Sequence, residues 1–198
     1  MELGDDDALA DLPVKLTNII FKANRIYQHR LLRINYTTYD LQCESDAVNP
    51  CTDHCDIMLL SCAGIGIDGS SQHPFCYAQV LGIFHANVIY TGPEFRDYQS
   101  WRIKFLWVWW FELSKDCPSG WQYSAFDTTR FVLMVEEDAF GFVNPDNVLW
   151  ACHLIPSFAD GLLHPDGITA SLCAHDSGDW KRYYINQCGL YSAGSTCG

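Results

Sequence analysis

Two long apolar runs constrain this chain more than anything else in it. They are PFCYAQVLGIFHANVIY, from Pro74 to Tyr90, and RIKFLWVWWF, from Arg102 to Phe111, joined by the polar connector TGPEFRDYQSW. In the first run Ala78, Val80, Gly82, Phe84, Ala86, Val88 and Tyr90 share one parity, while the other holds a mixed set. A period of two over that length predicts a strand with one face against a core. Gly82, mid-strand, predicts a bulge, a bend or a close backbone approach. The second run has no wet side: Phe105, Trp107, Trp109 and Phe111 alternate with Leu106, Val108 and Trp110. That pattern predicts a strand covered on both faces, or one that keeps a face for a partner.

Around this hairpin the remaining pieces are short. Met1 to Leu12 is read as a flexible acidic leader. From Pro13, Leu16, Ile19, Ile20, Ala23, Ile26 and Tyr27 recur at helical spacing, which predicts a helix over about 13–28. Leu31 to Leu41 is rich in β-branched and aromatic residues and predicts a strand. Gln42 to Asp56 is read as a loop from its Asn-Pro and its polar residues. Short strands are expected at Ile57 to Cys62, Trp121 to Ala125, Arg130 to Val135, Leu149 to Pro156 and Trp180 to Cys188. In the last of these Tyr183 and Ile185 should share a face opposite Tyr184. Ser157 to Gly178 is read as loop-like, and 189–198 as a loose tail. Strands separated by turns predict one β-rich domain over 13–188, a partly open antiparallel β-barrel with one N-terminal helix.

Charge narrows the classes of partner. Twelve basic residues stand against 24 acidic ones, a net charge of −12. A phosphate backbone is repelled by such a surface on average. Pro13 to Asn35 is the exception, with Lys15, Lys22, Arg25, Arg30 and Arg33 and no acidic residue. Lys22, Arg25, Arg30 and Arg33 are therefore the candidate nucleic-acid contacts. Their simpler use is to offset the chain's own acidic remainder. The acidic start MELGDDDALADL has no apolar signal region, and no run reaches the ~20 apolar residues of a membrane span. An intracellular protein, nuclear or cytoplasmic, with reduced thiols is expected.

No catalytic constellation stands out. Cys43, Cys51, His54 and Cys55, with Cys62 as a possible fourth ligand, form the best metal candidate, yet no C-x-x-C pair is present. Unrelated thiols in a loop are the plainer reading, so no metal and no cofactor is assigned. Cys152 and His153 are sequence neighbours; on a strand they point to opposite faces and cannot act on each other. Glu136 to Asp138 read as a solvated acidic turn. The AGIGIDG segment lacks the lysine of a phosphate loop. Aromatic rings are more telling. Tyr77, Trp107, Trp109, Trp110 and Tyr183 are the candidate ligand-binding surface, since open cages of such rings attract organic cations. Ordinary core packing is the competing use of the same residues.

INYTTYDLQ, VNPCT, DIMLLS, HPFCYAQVLGIFHANV, FLWVWWF, EEDAFGFVNPDNVLWACHLIPSF and DWKRYYIN, in this order, resemble the C-terminal region of proteins from fungal DNA transposons of the Plavaka type. More distantly, the hairpin and the residues C-terminal to it are similar to the uncharacterised domain near the C-terminus of plant CACTA-type transposases. The resemblance runs from about Leu31 to Asn186. It implies an accessory module lying outside the catalytic nuclease domain, with a barrel similar to Tudor or bromo-adjacent-homology domains, and it carries over no catalytic residue. Cys43, Cys51, Gln79 and Trp109 stand where the pattern leads one to expect arginine, and Cys76 where it has tryptophan. The arginine replacements are each one C-to-T type transition away, as in a decaying element copy. The sequence thus leads to a non-catalytic, transposon-derived module binding a protein or chromatin partner. A nucleic-acid-binding accessory piece is the alternative, and a zinc-binding protein the third.

Overall fold

The computed structural model describes residues 18–37, 43–61, 74–92, 98–114, 126–171, 173–174 and 176–186. Eleven strands are described: β1 (Ile19–His29), β2 (Leu32–Thr37), β3 (Cys43–Val48), β4 (Asp56–Leu60), β5 (Phe75–Tyr90), β6 (Trp101–Leu113), β7 (Thr128–Phe131), β8 (Phe140–Val143), β9 (Val148–Ala151), β10 (Leu154–Pro156) and β11 (Tyr183–Ile185). Short 3-10 turns supply the only other regular structure among the described residues. No helix there is long and apolar enough to cross a membrane. The chain divides into two compact units. Met1–Tyr27 with His85–Ile103 form one; Gln28–Phe84 with Lys104–Gly198 form the other.

In the second unit β5 and β6 lie side by side, as their alternation requires. Ala78, Val80, Leu106 and Val108 enter an aliphatic core, while Tyr77, Trp109 and Phe111 enter an aromatic one. Successive residues point to opposite faces, so a strand apolar on both parities is a strand with a core on each side. At Gly82 the parity slips. Ile83 joins the aliphatic core although its number is odd, and Phe84 stacks on Phe105 at 5.6 Å. A Cβ at Gly82 would meet the Phe84 ring at 2.4 Å, so the missing side chain makes room for that ring.

The strand order β10-β11-β7-β6-β5-β4-β9 makes the sheet curl strongly into an antiparallel half-barrel. Laid flat, β10 and β9 would be separated by six strand spacings, ~29 Å. Yet only Cys152 and His153 separate them in the chain, and three Cα steps span at most ~11 Å. The two edges must therefore be brought round towards each other. The Cys152 N–H donates to the Asp56 carbonyl at 3.0 Å and the Asn186 N–H to the His153 carbonyl at 3.3 Å, which ties the link to β4 and to the end of β11. The aromatic core and the aliphatic core lie on opposite faces of the sheet, and β2 and β3 form a separate hairpin, from Leu32↔Val48 to Thr37↔Cys43. This hairpin adds Ile34 and Val48 to the aliphatic core, and Asp46 Oδ2 accepts from the Ala151 N–H at 3.3 Å.

In the first unit β1 pairs with β5, and the Thr91 N–H and Oγ1 both donate to the Asn18 carbonyl, at 2.8 and 3.2 Å. Tyr27 stacks on His85 with ring centroids 4.7 Å apart. The helix expected over 13–28 is not formed where the structure describes it: Ile19 onward is a strand, and 13–17 lie outside the described residues. Ile19, Ile20, Phe21, Ile26 and Tyr27 are β-branched or aromatic, and pairing with β5 prevails over their helical spacing. Ala23 and Asn24 adopt left-handed φ values of 59° and 50° and break the extended run. That interruption, with Lys22 and Arg25 beside it, blunts an edge on which Ile20, Phe21 and Ile26 are exposed.

Other expectations are redrawn. The expected loop at 42–56 contains β3, whose polar CESDAV sequence hid a strand that turns mainly Val48 inward. The expected strand at 130–135 ends at Phe131, and Leu149 to Pro156 is two strands broken at Cys152. β11 is three residues long, with Tyr183 and Ile185 buried and Tyr184 exposed. The strand expected over 121–125 lies outside the described residues, as do the ends of the chain, 1–17 and 187–198.

Candidate functional site

Where the β9–β10 link crosses the mouth of the half-barrel, the second unit holds a cleft of about 890 Å³. β4 and the turn before it supply Asp53, Cys55 and Asp56, β5 supplies Gln79, and Asp179, Trp180 and Tyr183 come from the last part of the chain. Tyr183 is held by two hydrogen bonds: its Oη accepts from the Trp180 N–H at 2.9 Å and donates to Asp179 Oδ1 at 3.4 Å. Trp180 is fixed further by bridging to Leu162 and by the Phe158 ring, edge-on at 4.9 Å. Asp179 Oδ2 and Gln79 Oε1 are buried acceptors with no hydrogen-bond partner among the described residues.

The acids of this cleft are crowded. Burial first, then Asp179 and Asp53, pushes the Asp56 carboxyl up to about 8. Burial pushes Asp179 up to about 6, helped by Asp176 and opposed by the Tyr183 hydrogen bond and by His164. Both neighbouring charges that raise Asp56 are negative, and at neutral pH its carboxyl holds its proton. Cys55, its Sγ 4.0 Å from Asp56 Oδ1, is pushed up to about 12 by burial and then by Asp56. Cys152 is raised by burial, then by Asp56. Both remain thiols at neutral pH, which does not suit nucleophilic attack.

The loop that walls the cleft is organised by one buried side chain. Asp176 is fully buried; its carboxylate accepts from the Ala170 N–H at 3.1 Å and the Ser171 N–H at 3.3 Å, and His164 Nε2 lies 2.9 Å from Oδ2. Two backbone donors and the His164 ring gathered on one carboxylate fold the loop back on itself, and Ala174, Gly178 and Asp179 line the cleft. Sequence reading saw 157–178 only as loop-like; a single aspartate in a polar stretch gives no sign of what it will close.

The candidate aromatic residues are split between faces. Tyr77, Trp109 and Tyr183 come together in the aromatic core, Trp109 stacked on Phe131 at 4.0 Å with its Nε1 donating to the Val132 carbonyl at 2.9 Å. Trp107 is half-buried against Phe140 at 6.1 Å. Trp110 lies on the opposite face of β6, packed against the aliphatic core with its indole over Gly141. The five rings do not converge on one cage; of them Tyr183 alone lines the cleft. Lys22, Arg25, Arg30 and Arg33 are all exposed, the first two in the first unit and the last two in the second. Among the metal candidates Cys51 and His54 are exposed while Cys55 is buried, and Cys62 lies outside the described residues. Among the described residues no three His, Cys, Asp or Glu side chains are grouped as metal ligands would be. No family model, curated protein or solved structure matches the chain.

Proposed function

We propose that this chain is a non-catalytic module that docks a protein partner by taking up one of its basic side chains. The observation that carries this reading is the convergence of Asp53, Asp56 and Asp179, with the unpartnered Gln79 Oε1, on a cleft walled by Trp180 and Tyr183. A lysine ammonium or arginine guanidinium supplies what these converging acceptors call for, positive charge and hydrogen-bond donors. The aromatic wall adds cation–π attraction. A chromatin protein with a lysine- and arginine-rich tail has the right chemistry, and a nuclear or cytoplasmic location goes with such a partner. The ordered likeness to fungal transposon proteins supports an origin as an accessory region of such an element.

Titration of the protein with lysine-rich, serine-substituted and acidic peptides, followed by fluorescence anisotropy, tests the reading. The lysine peptide should bind at least tenfold more tightly than the other two, and Asp179→Asn should remove most of that preference. Equal affinity for all three peptides sinks it. Exposed Lys22, Arg25, Arg30 and Arg33 favour a second reading, DNA binding. Its signature is affinity falling steeply with salt, by a slope of about −0.9 per phosphate neutralised in a log–log plot.

A further inference from the structure

A second cleft, of about 710 Å³, lies in the same unit and shares Trp180 with the first. Its floor is apolar: Trp109, Phe131, Met134 and Leu163. Its charged lining is opposite in sign to that of the first cleft. Arg130, Lys181 and Arg182 stand against Asp160, where the first cleft sets three carboxylates against Arg30. Arg182 is held by Asp160 and Arg130 by Glu112, whereas Lys181 makes no ion pair among the described residues. Trp180 thus lines both an acidic cleft and an apolar one whose rim is basic.

We infer that the two clefts read one extended peptide of the partner: a basic residue in the first, and a bulky apolar residue with an acidic neighbour in the second. The inference rests on the function proposed above and adds the partner's pattern. In an extended chain, side chains two residues apart point the same way and lie ~7 Å apart, enough to straddle one indole. Charge complementarity selects the flanks. The acidic cleft takes the cation, and Lys181 takes the carboxylate next to the apolar residue. A bulky aliphatic or aromatic side chain fills a floor made of rings, a thioether and leucine, and leaves no polar atom there unpaired.

Four peptides titrated into the full chain test this: Lys-x-Leu-Glu, Lys-x-Ser-Glu, Ser-x-Leu-Glu, and Lys with Leu moved one residue further away. The first should bind about tenfold more tightly than the second and than the fourth, a gain of about 1.4 kcal/mol. Lys181→Glu, at an exposed position, should weaken Lys-x-Leu-Glu and Lys-x-Ser-Glu alike, by about threefold or more, while leaving the affinity of a peptide bearing lysine alone unchanged. Met134→Gln should remove the leucine preference. If Lys-x-Leu-Glu and Lys-x-Ser-Glu bind alike on the unmodified protein, the two-cleft pattern is overturned and the basic-residue reading stands. If Ser-x-Leu-Glu binds as well as Lys-x-Leu-Glu, the basic-residue reading itself fails, and this inference with it.

Discussion

The two cores of the second unit are built from different chemistry. One is aliphatic throughout, from Ile34 and Val48 to Leu106, Val108, Val143 and Val148. The other gathers Met58, Tyr77, Trp109, Phe111, Phe131 and Tyr183. An aliphatic core has no polar atom to satisfy, so it can be sealed on all sides, and the β2–β3 hairpin closes over it. Rings with N–H and O–H groups need acceptors. Trp109 and Tyr183 sit where loops and strand ends bring such groups within reach, the Val132 carbonyl for Trp109 and Asp179 for Tyr183. Those are also the places where the chain leaves clefts. The aliphatic core is therefore the frame, and the aromatic core is the floor of the sites.

The strongest way to break this division is to damage the frame. Leu106→Ala, at a side chain with no exposed surface, should cost about 2–5 kcal/mol by chemical denaturation. The fraction still folded should bind the lysine peptide as before. A loss of affinity in that fraction would show that the frame and the sites are one unit. Tyr183→Phe cuts the other way. It removes the hydroxyl that joins Trp180 to Asp179, should cost about 1–2 kcal/mol, and should weaken peptide binding in the folded protein.

Acidity separates the two cores as well, because the crowded carboxyls lie on the aromatic side alone. The folded Asp56 carboxyl is held at about 8 against an ordinary 3.8, and Asp179 at about 6. The folded state therefore binds protons more tightly than the unfolded one, and both groups cost stability as pH rises from about 4. Asp179 stops contributing near pH 6, and Asp56 continues to about 8. Each is limited to about 1.4 kcal/mol per pH unit, and less where solvent reaches it. Asp56→Asn should flatten the stability profile between pH 6 and 8 and leave it unaltered below 4. Affinity for the lysine peptide should rise over the same interval in the unmodified protein, as the proton gives way to the ammonium. A profile equally steep in Asp56→Asn would move the effect to another group.

Much of the frame was legible in the sequence, because alternation along Phe75–Tyr90 and Trp101–Leu113 encodes which side chains turn inward. Gly82 was legible as an irregularity in the strand, where the parity slips, but not as room for the Phe84 ring. β1 was not: its apolar residues also satisfy a helical period, and only pairing with β5 decides between the two. β3 was hidden because a strand in an outer hairpin can be polar along most of its length. The site was the least legible part. Asp56 and Asp179 are remote in the chain, and they converge because the β9–β10 link forces the sheet round. Asp176, which shapes the wall, is one aspartate among many until His164 and two backbone N–H groups close on it.

The smallest effect expected is at the rim of the second cleft. Arg130 Nε lies 2.7 Å from Glu112 Oε1, but the two side chains are 54% and 40% exposed. Water and salt screen such a pair, and ordering two long side chains costs entropy, so Arg130→Gln should cost no more than about 0.5–1 kcal/mol. Raising the ionic strength from 0.05 to 0.5 M should shrink the difference further, as the screening length falls below ~10 Å. The neighbouring position predicts the same direction: Phe131, next along β7, is buried by its stacks on Trp109 and Phe111, which do not depend on the charge. A cost above about 2 kcal/mol, indifferent to salt, would place Arg130 in the frame through the packing of its aliphatic stem, and the rim could no longer be set apart from the core it borders.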